Sequence, residues 1–135
     1  MSSSSIDLLD YAAALQDSDE EVELRSCVSR AYYAAYHQAN DWHSALTSPG
    51  SASGGTGVHR TLIDRLRNPT VTGSDRMLSK KLGYVLDAMK VLRQKADYNL
   101  ADTVTGLDAQ NTVAYAEKVL AEAAAPVALR SSAAC

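Results

Sequence analysis

Between Ser18 and Leu46, the residues Leu24, Val28, Ala31, Ala35, Ala39, Trp42 and Leu46 recur at steps of three and four. That interval returns to one face of a 3.6-residue period, so the stretch reads as a single apolar-faced helix. Ser18-Asp-Glu-Glu21 has the capping-box pattern, a hydroxyl that accepts an amide proton three residues on while the carboxylate reaches back. A helix of about 28 residues from that start is long for a globular protein and predicts the spine of a bundle.

The rest of the chain supplies partners for such a spine. Ser4 or Ser5 can cap a short helix from about Ile6 to Leu15, with Asp7 and Asp10 suited to its early turns. The segment 47–57, TSPGSASGGTG, holds only small, polar and breaker residues and is expected to be a flexible loop. Val58, Leu62 and Leu66 then mark a helix that Pro69 stops near Asn68. From Asp75 to about Asn99 the positions Leu78, Leu82, Val85, Met89, Leu92 and Ala96 keep the helical beat again. Thr105-Gly-Leu-Asp108 introduces a last helix buried along Ala109, Val113, Ala116, Leu120 and Ala123, with Pro126 beyond it and a loose tail over 126–135. No stretch alternates as a strand would, and no repeat is present. The expected fold is all-α, one antiparallel bundle of four to five helices over residues 1–135.

Composition narrows the function classes. No apolar run approaches the roughly 20 residues of a membrane span, and the Ser-rich start lacks the basic and apolar regions of a signal peptide, so a cytoplasmic protein without membrane contact is expected. Cys27 inside the spine and Cys135 at the end make neither a disulfide framework nor a metal cluster. No phosphate-binding Gly-rich loop with its Lys and no zinc-type ligand spacing is found, and no cofactor or metal is expected. The net charge of −3 is uneven: residues 1–56 hold two basic and eight acidic side chains, whereas residues 57–98 hold nine basic and four acidic. Arg60, Arg65, Arg67, Arg76, Lys80 and Lys81 have the charge of a phosphate-tracking surface, although amphipathic helices ordinarily show such residues to water.

Chemistry concentrates in two places. Arg30 and His37 share a helix face, seven residues apart, beside Tyr32, Tyr33 and Tyr36. Some sixty residues later stands Arg93-Gln-Lys-Ala-Asp97-Tyr98. SRAYYAAYHQA at Ser29 to Ala39, HRTLIDRL at His59 to Leu66 and LRQKADYNL at Leu92 to Leu100 together resemble the small stand-alone bacterial HEPN-domain proteins, over about Ile6 to Ala123. The resemblance implies a helical bundle that forms a homodimer and works with RNA or nucleotide, in toxin–antitoxin or phage-defence systems or beside a nucleotidyltransferase partner. Many HEPN ribonucleases carry an Arg, four to six residues and a His, and cleave RNA without metal. Arg30 and His37, with six residues between them, fit that pattern, while active members carry it on a later helix, where this chain reads RQKADY without a His. An imidazole can move the proton of a 2′-hydroxyl while a guanidinium holds the phosphate. Arg30, His37 and Arg93 are therefore the catalytic candidates, and Tyr33, Asp97 and Tyr98 a binding or structural network around them. The alternative is a non-catalytic module in which Arg30, Arg93 and Asp97 form an ion network with the Tyr hydroxyls.

Overall fold

Each helix begins and ends for a local chemical reason. In the computed structural model, which describes residues 2–52, 54 and 57–123, Ser4 caps α1 (Ser5–Leu15) in a reciprocal capping box with Asp7. Thr105 and Asp108 form the same device at the start of α5 (Gly106–Glu122). Between them lie α2 (Glu21–Ser44), α3 (Val58–Arg67) and α4 (Gly73–Tyr98). All five elements are helices, and the described residues contain no strand.

The start of α2 differs from the sequence expectation. Glu20 is its N-cap and makes no side-chain cap bond. Ser18 Oγ instead accepts from Glu20 N at 3.0 Å and donates to Glu23 at 2.5 Å. The reason is competition for Glu21, whose carboxylate accepts from Arg25 Nε at 2.8 and 2.9 Å and from Val104 N at 2.8 Å. A charged donor and a distant backbone amide outcompete a box with Ser18.

Helix α2 packs against α1, α4 and α5, while α3 lies against α4. Its core face is lined by Cys27, Val28, Ala31, Ala35, Ala39 and Trp42, all buried, which meet Leu82, Leu86, Met89, Val113 and Val119 from the long helices. Ser79 Oγ donates to Leu66 O at 2.7 Å, and one turn on, Gly83 lets α3 come close. A Cβ at Gly83 would stand 2.6 Å from Arg67 Cγ and 3.0 Å from Arg67 N.

The end of α4 is held by a buried cation. Arg25 Nη1 donates to Ala96 O at 2.9 Å, Lys95 O at 3.1 Å and Asn99 O at 3.4 Å, and Nη2 reaches Leu100 O and Asp102 O. The carbonyls that a helix C-terminus leaves unpaired thus find donors on α2.

The 47–57 segment forms no helix, yet its first half is tied down. Ser51 N donates to Asn68 O at 2.9 Å, the His43 Nε2 and Pro49 O atoms lie 2.8 Å apart, and Gly50 (φ +75°) passes so close to Arg65 O that a Cβ would lie 2.5 Å from it. Residues 53, 55 and 56 and the expected loose tail at 126–135 lie outside the described residues. Among the described residues no helix is long and apolar enough to cross a membrane.

Candidate functional site

One face of α2 presents Ser29, Arg30, Tyr33, Tyr36 and His37 to the last turns of α4 and the first turn of α3. Arg93, buried on α4, is the hub. Its Nη2 donates to the Tyr33 hydroxyl at 2.7 Å, and its guanidinium carbon lies 5.7, 5.4 and 5.3 Å from the ring centres of Tyr32, Tyr33 and Tyr98. Its Nε sits 3.2 Å from Asp97 Oδ2, a charge contact without the alignment of a hydrogen bond. Burial works against the guanidinium charge, and the Tyr33 hydrogen bond with the Tyr33, Tyr98 and Asp97 charges more than restores it, so its pKa stands above the ordinary value.

Arg30 joins this network from the other side. Ser29 Oγ donates to Asp97 Oδ2 at 3.2 Å and accepts from Arg30 Nη2 at 3.4 Å, and the Arg30 guanidinium lies 5.1 Å from the Tyr33 ring centre. One tyrosine ring therefore carries two cations. Arg30, Tyr33, Arg93, Asp97 and Tyr98, chosen from separate stretches of sequence, meet in one place.

His37 stands at the edge of the cluster. It is exposed, its ring centre 5.4 Å from that of Tyr36 and 6.3 Å from that of Tyr33, and it makes no hydrogen bond or ion pair among the described residues. Its other side faces a cavity of about 460 Å³ with Ser4, Ile6, Gln38 and Asp41.

The histidine at the centre is one that the motif reading passes over. His59, on α3, has its Nδ1 2.8 Å from the Tyr32 hydroxyl and its ring centre 4.3, 5.5 and 5.8 Å from those of Tyr36, Tyr32 and Tyr33. Burial, then the charges of Arg93, Lys90 and His37, lower its pKa below 6.5. The Tyr32 phenol is buried, its own pKa raised mainly by desolvation, and it has no other partner among the described residues. It therefore donates to Nδ1, and the proton of neutral His59 resides on Nε2. The signal was present in the sequence: His59, Leu62, Ile63 and Leu66 are spaced i, i+3, i+4, i+7, which puts the imidazole on the buried face of α3.

Much of the expected basic surface is already spent inside the chain. Arg60 contacts Asp64 at 3.5 Å and Asp87 at 3.6 Å, and Arg67 contacts Asp87 at 3.3 Å. Arg76 donates to Pro69 O at 2.8 Å, and Lys81 pairs with Glu122 at 2.7 Å. Nearer the cluster, Arg30 and Lys90 add positive charge beside Arg93, which is itself met by Asp97 at 3.2 Å.

Tyr36 also borders a second cavity, of about 510 Å³, with Asn40, His43, Thr61, Leu62 and Arg65. Among the described residues no group of three His, Cys, Asp or Glu side chains is arranged to hold a metal ion. Comparison of the chain with known protein families, with curated proteins and with solved structures finds no match, so the functional reading rests on this geometry.

Proposed function

We propose that the chain is a cytoplasmic, homodimeric, HEPN-like domain with an RNA- or nucleotide-directed role, and that its Arg30–Tyr33–Arg93 cluster holds the ligand phosphate. The observation that carries this reading is the convergence on Tyr33 of two guanidinium groups, with exposed His37 and neutral His59 on the neighbouring rings. Guanidinium groups suit phosphate and tyrosine faces suit unstacked bases, the two halves of single-stranded RNA recognition. The cavity beside Tyr36, about 510 Å³, falls in the range of small-ligand sites.

In its active form the proposal is metal-independent endoribonuclease chemistry in a toxin–antitoxin or phage-defence system. His37 takes the proton of a 2′-hydroxyl as its oxygen bonds to phosphorus. The bond from phosphorus to the 5′ oxygen breaks, and the imidazolium returns the proton to that oxygen. Arg30, with Arg93 behind Tyr33, offsets the charge that builds on the phosphoryl oxygens.

A second reading is favoured by Arg93 itself. It is buried, with Nη2 on Tyr33 and Nε against Asp97, and so is built into the bundle. Under this reading the cluster binds RNA or nucleotide without cleaving it, and the domain docks a partner such as a nucleotidyltransferase.

Incubating the protein with labelled single-stranded RNA in chelator, beside Arg30→Ala, His37→Ala and Arg93→Ala, separates the two. Cleavage lost in His37→Ala with RNA affinity retained supports the enzyme. Binding without cleavage, with log K falling by about 0.7 per phosphate contact for each tenfold rise in salt, supports the binding module. No binding of RNA or of a mononucleotide at low salt refutes both.

A further inference from the structure

Helix α3 rests on α4, and where it passes α2 the cavity of about 510 Å³ opens between the two. Tyr36, Asn40 and His43 line it from one face of α2, and Thr61, Leu62 and Arg65 from one face of α3. Leu62 and the Tyr36 ring make part of the wall apolar. The ring is held in place by Tyr32 at 6.2 Å and His59 at 4.3 Å between centres.

The polar groups of this wall are the unusual part. Arg60 and Arg67, on another side of α3, are both met by Asp87, whereas the half-buried Arg65 side chain makes no hydrogen bond or ion pair among the described residues. Its Nε is buried without a partner. The side chains of Asn40 and Thr61 also have no hydrogen-bond partner among the described residues. A partly buried cation with nothing to meet costs stability, and convergent unmet polar groups in a cavity mark a ligand site. His43 Nε2 lies 2.8 Å from Pro49 O, which can only accept, so Nε2 carries the proton and Nδ1 of the neutral ring is an acceptor.

We infer that this cleft is a pocket for guanine. The proposal rests on the RNA- or nucleotide-directed reading of the neighbouring cluster, and it names the base that the site takes. The first support is the mixture of groups. Asn40, His43 and Thr61 supply acceptors, which a bare phosphate or carboxylate, itself only an acceptor, would leave unmet. The second is the Arg65 fork, which matches two adjacent acceptors on one planar edge. Guanine presents O6 and N7 there, whereas adenine sets an amino donor in place of O6 and the pyrimidines lack N7. The other edge of guanine carries the N1 and N2 donors, which suit the Asn40 carbonyl oxygen and His43 Nδ1.

Position agrees with this chemistry. Tyr33 and Asn40 share a face of α2 seven residues apart, roughly 10 Å along its axis. A phosphate at Arg30 and Tyr33 and a base at Asn40 therefore belong to one nucleotide or to neighbours on a strand.

Calorimetric titration of the full chain with guanosine, GMP, AMP, CMP and UMP tests the pocket. GMP should bind on the order of tenfold or more tighter than AMP, and 7-deaza-GMP, which lacks the N7 acceptor, should lose about as much. Arg65→Ala should bring GMP to the level of AMP with an unchanged circular dichroism spectrum, and Arg65→Lys, a point charge without the fork, should not restore the preference. An excess of inorganic phosphate should leave guanosine binding unchanged. Equal or absent binding of GMP and AMP, no loss with 7-deaza-GMP, or displacement of guanosine by phosphate overturns the guanine pocket; if single-stranded RNA still binds through Arg30, the phosphate reading stands without it. A guanosine preference that depends on Arg65, in a chain where Arg30→Ala changes neither GMP nor RNA affinity, upholds the pocket and overturns the phosphate reading instead.

Discussion

Replacing Arg25 by alanine should cost about 3 kcal/mol of stability, nearly all of it at the far end of a different helix. The Ala96 carbonyl, which receives Nη1 at 2.9 Å, is buried and loses its charged donor outright, a cost of roughly 1–3 kcal/mol. The Lys95 carbonyl, at 3.1 Å and part-buried, adds about 1 kcal/mol. The bonds to Asn99, Leu100 and Asp102 belong to exposed residues whose carbonyls turn to water, and the Glu21 carboxylate is open to water as well, so these add little. The variant also loses the packed aliphatic stem of the arginine. For a domain of this size the sum corresponds to a fall of about 10 °C in Tm. Arg25→Lys keeps the charge but gathers three donors at one point, which cannot span carbonyls from Lys95 to Asp102, and it should recover less than half the loss. Thermal and urea unfolding give the totals, and amide hydrogen exchange locates them. An alanine variant within about 0.5 kcal/mol of the parent, or one with unchanged protection over residues 95–104, would refute the reasoning.

The other expectations concern single groups. His59 should titrate below 6.5 in the folded protein, with its neutral proton on Nε2 by nitrogen NMR; because its folded pKa is depressed, its contribution is complete above about pH 6.5 and lost as pH falls through the folded value, and His59→Gln should flatten that part of the stability profile. Glu21, whose carboxyl is lowered first by the Arg25 hydrogen bond and then by Val104 N, should contribute stability above pH 4.5 that disappears as pH falls through its folded pKa, an effect absent in Glu21→Gln. Gly83→Ala should destabilise by about 1–3 kcal/mol despite its gain in helix propensity, because the contact at 3.0 Å is to Arg67 backbone; a raised Tm would show that α3 can move aside. In a Cys135→Ser background the native protein should not react with a thiol reagent at pH 8, since burial pushes the Cys27 pKa up to about 11.

The helices were legible because periodicity reports a face directly, and all five appear where the apolar steps of three and four predict them. Their starts were less so. Ser18-Asp-Glu-Glu21 has the form of a cap, but the competing claims of Arg25 and of Val104, more than eighty residues away, are invisible locally. Arg25 was hidden for the same reason: its i−4 partner Glu21 can be read from the sequence, whereas its carbonyl partners lie 70 to 77 residues on. In the candidate site, the meeting of Arg30 and Arg93 depends on how α2 and α4 pack, and the place of His59 depends on how α3 brings its imidazole to the Tyr32 hydroxyl of α2, which no motif on one helix reports. The pairing within the basic run was not legible either, because Asp87 meets both Arg60 and Arg67 from a neighbouring helix.

The alanines of α2 carry a consequence for how such a protein can change. Ala31, Ala35 and Ala39 hold the core side, while Arg30, Tyr33 and His37 lie on a different side of the same rod. Enlarging an alanine would force whole helices apart, since nothing softer than backbone and packed side chains lies opposite. Exchanging Arg30 or His37 disturbs only partly covered positions. The rod thus separates inheritance into two columns, one nearly frozen by geometry and one free to try new ligands on an unchanged frame.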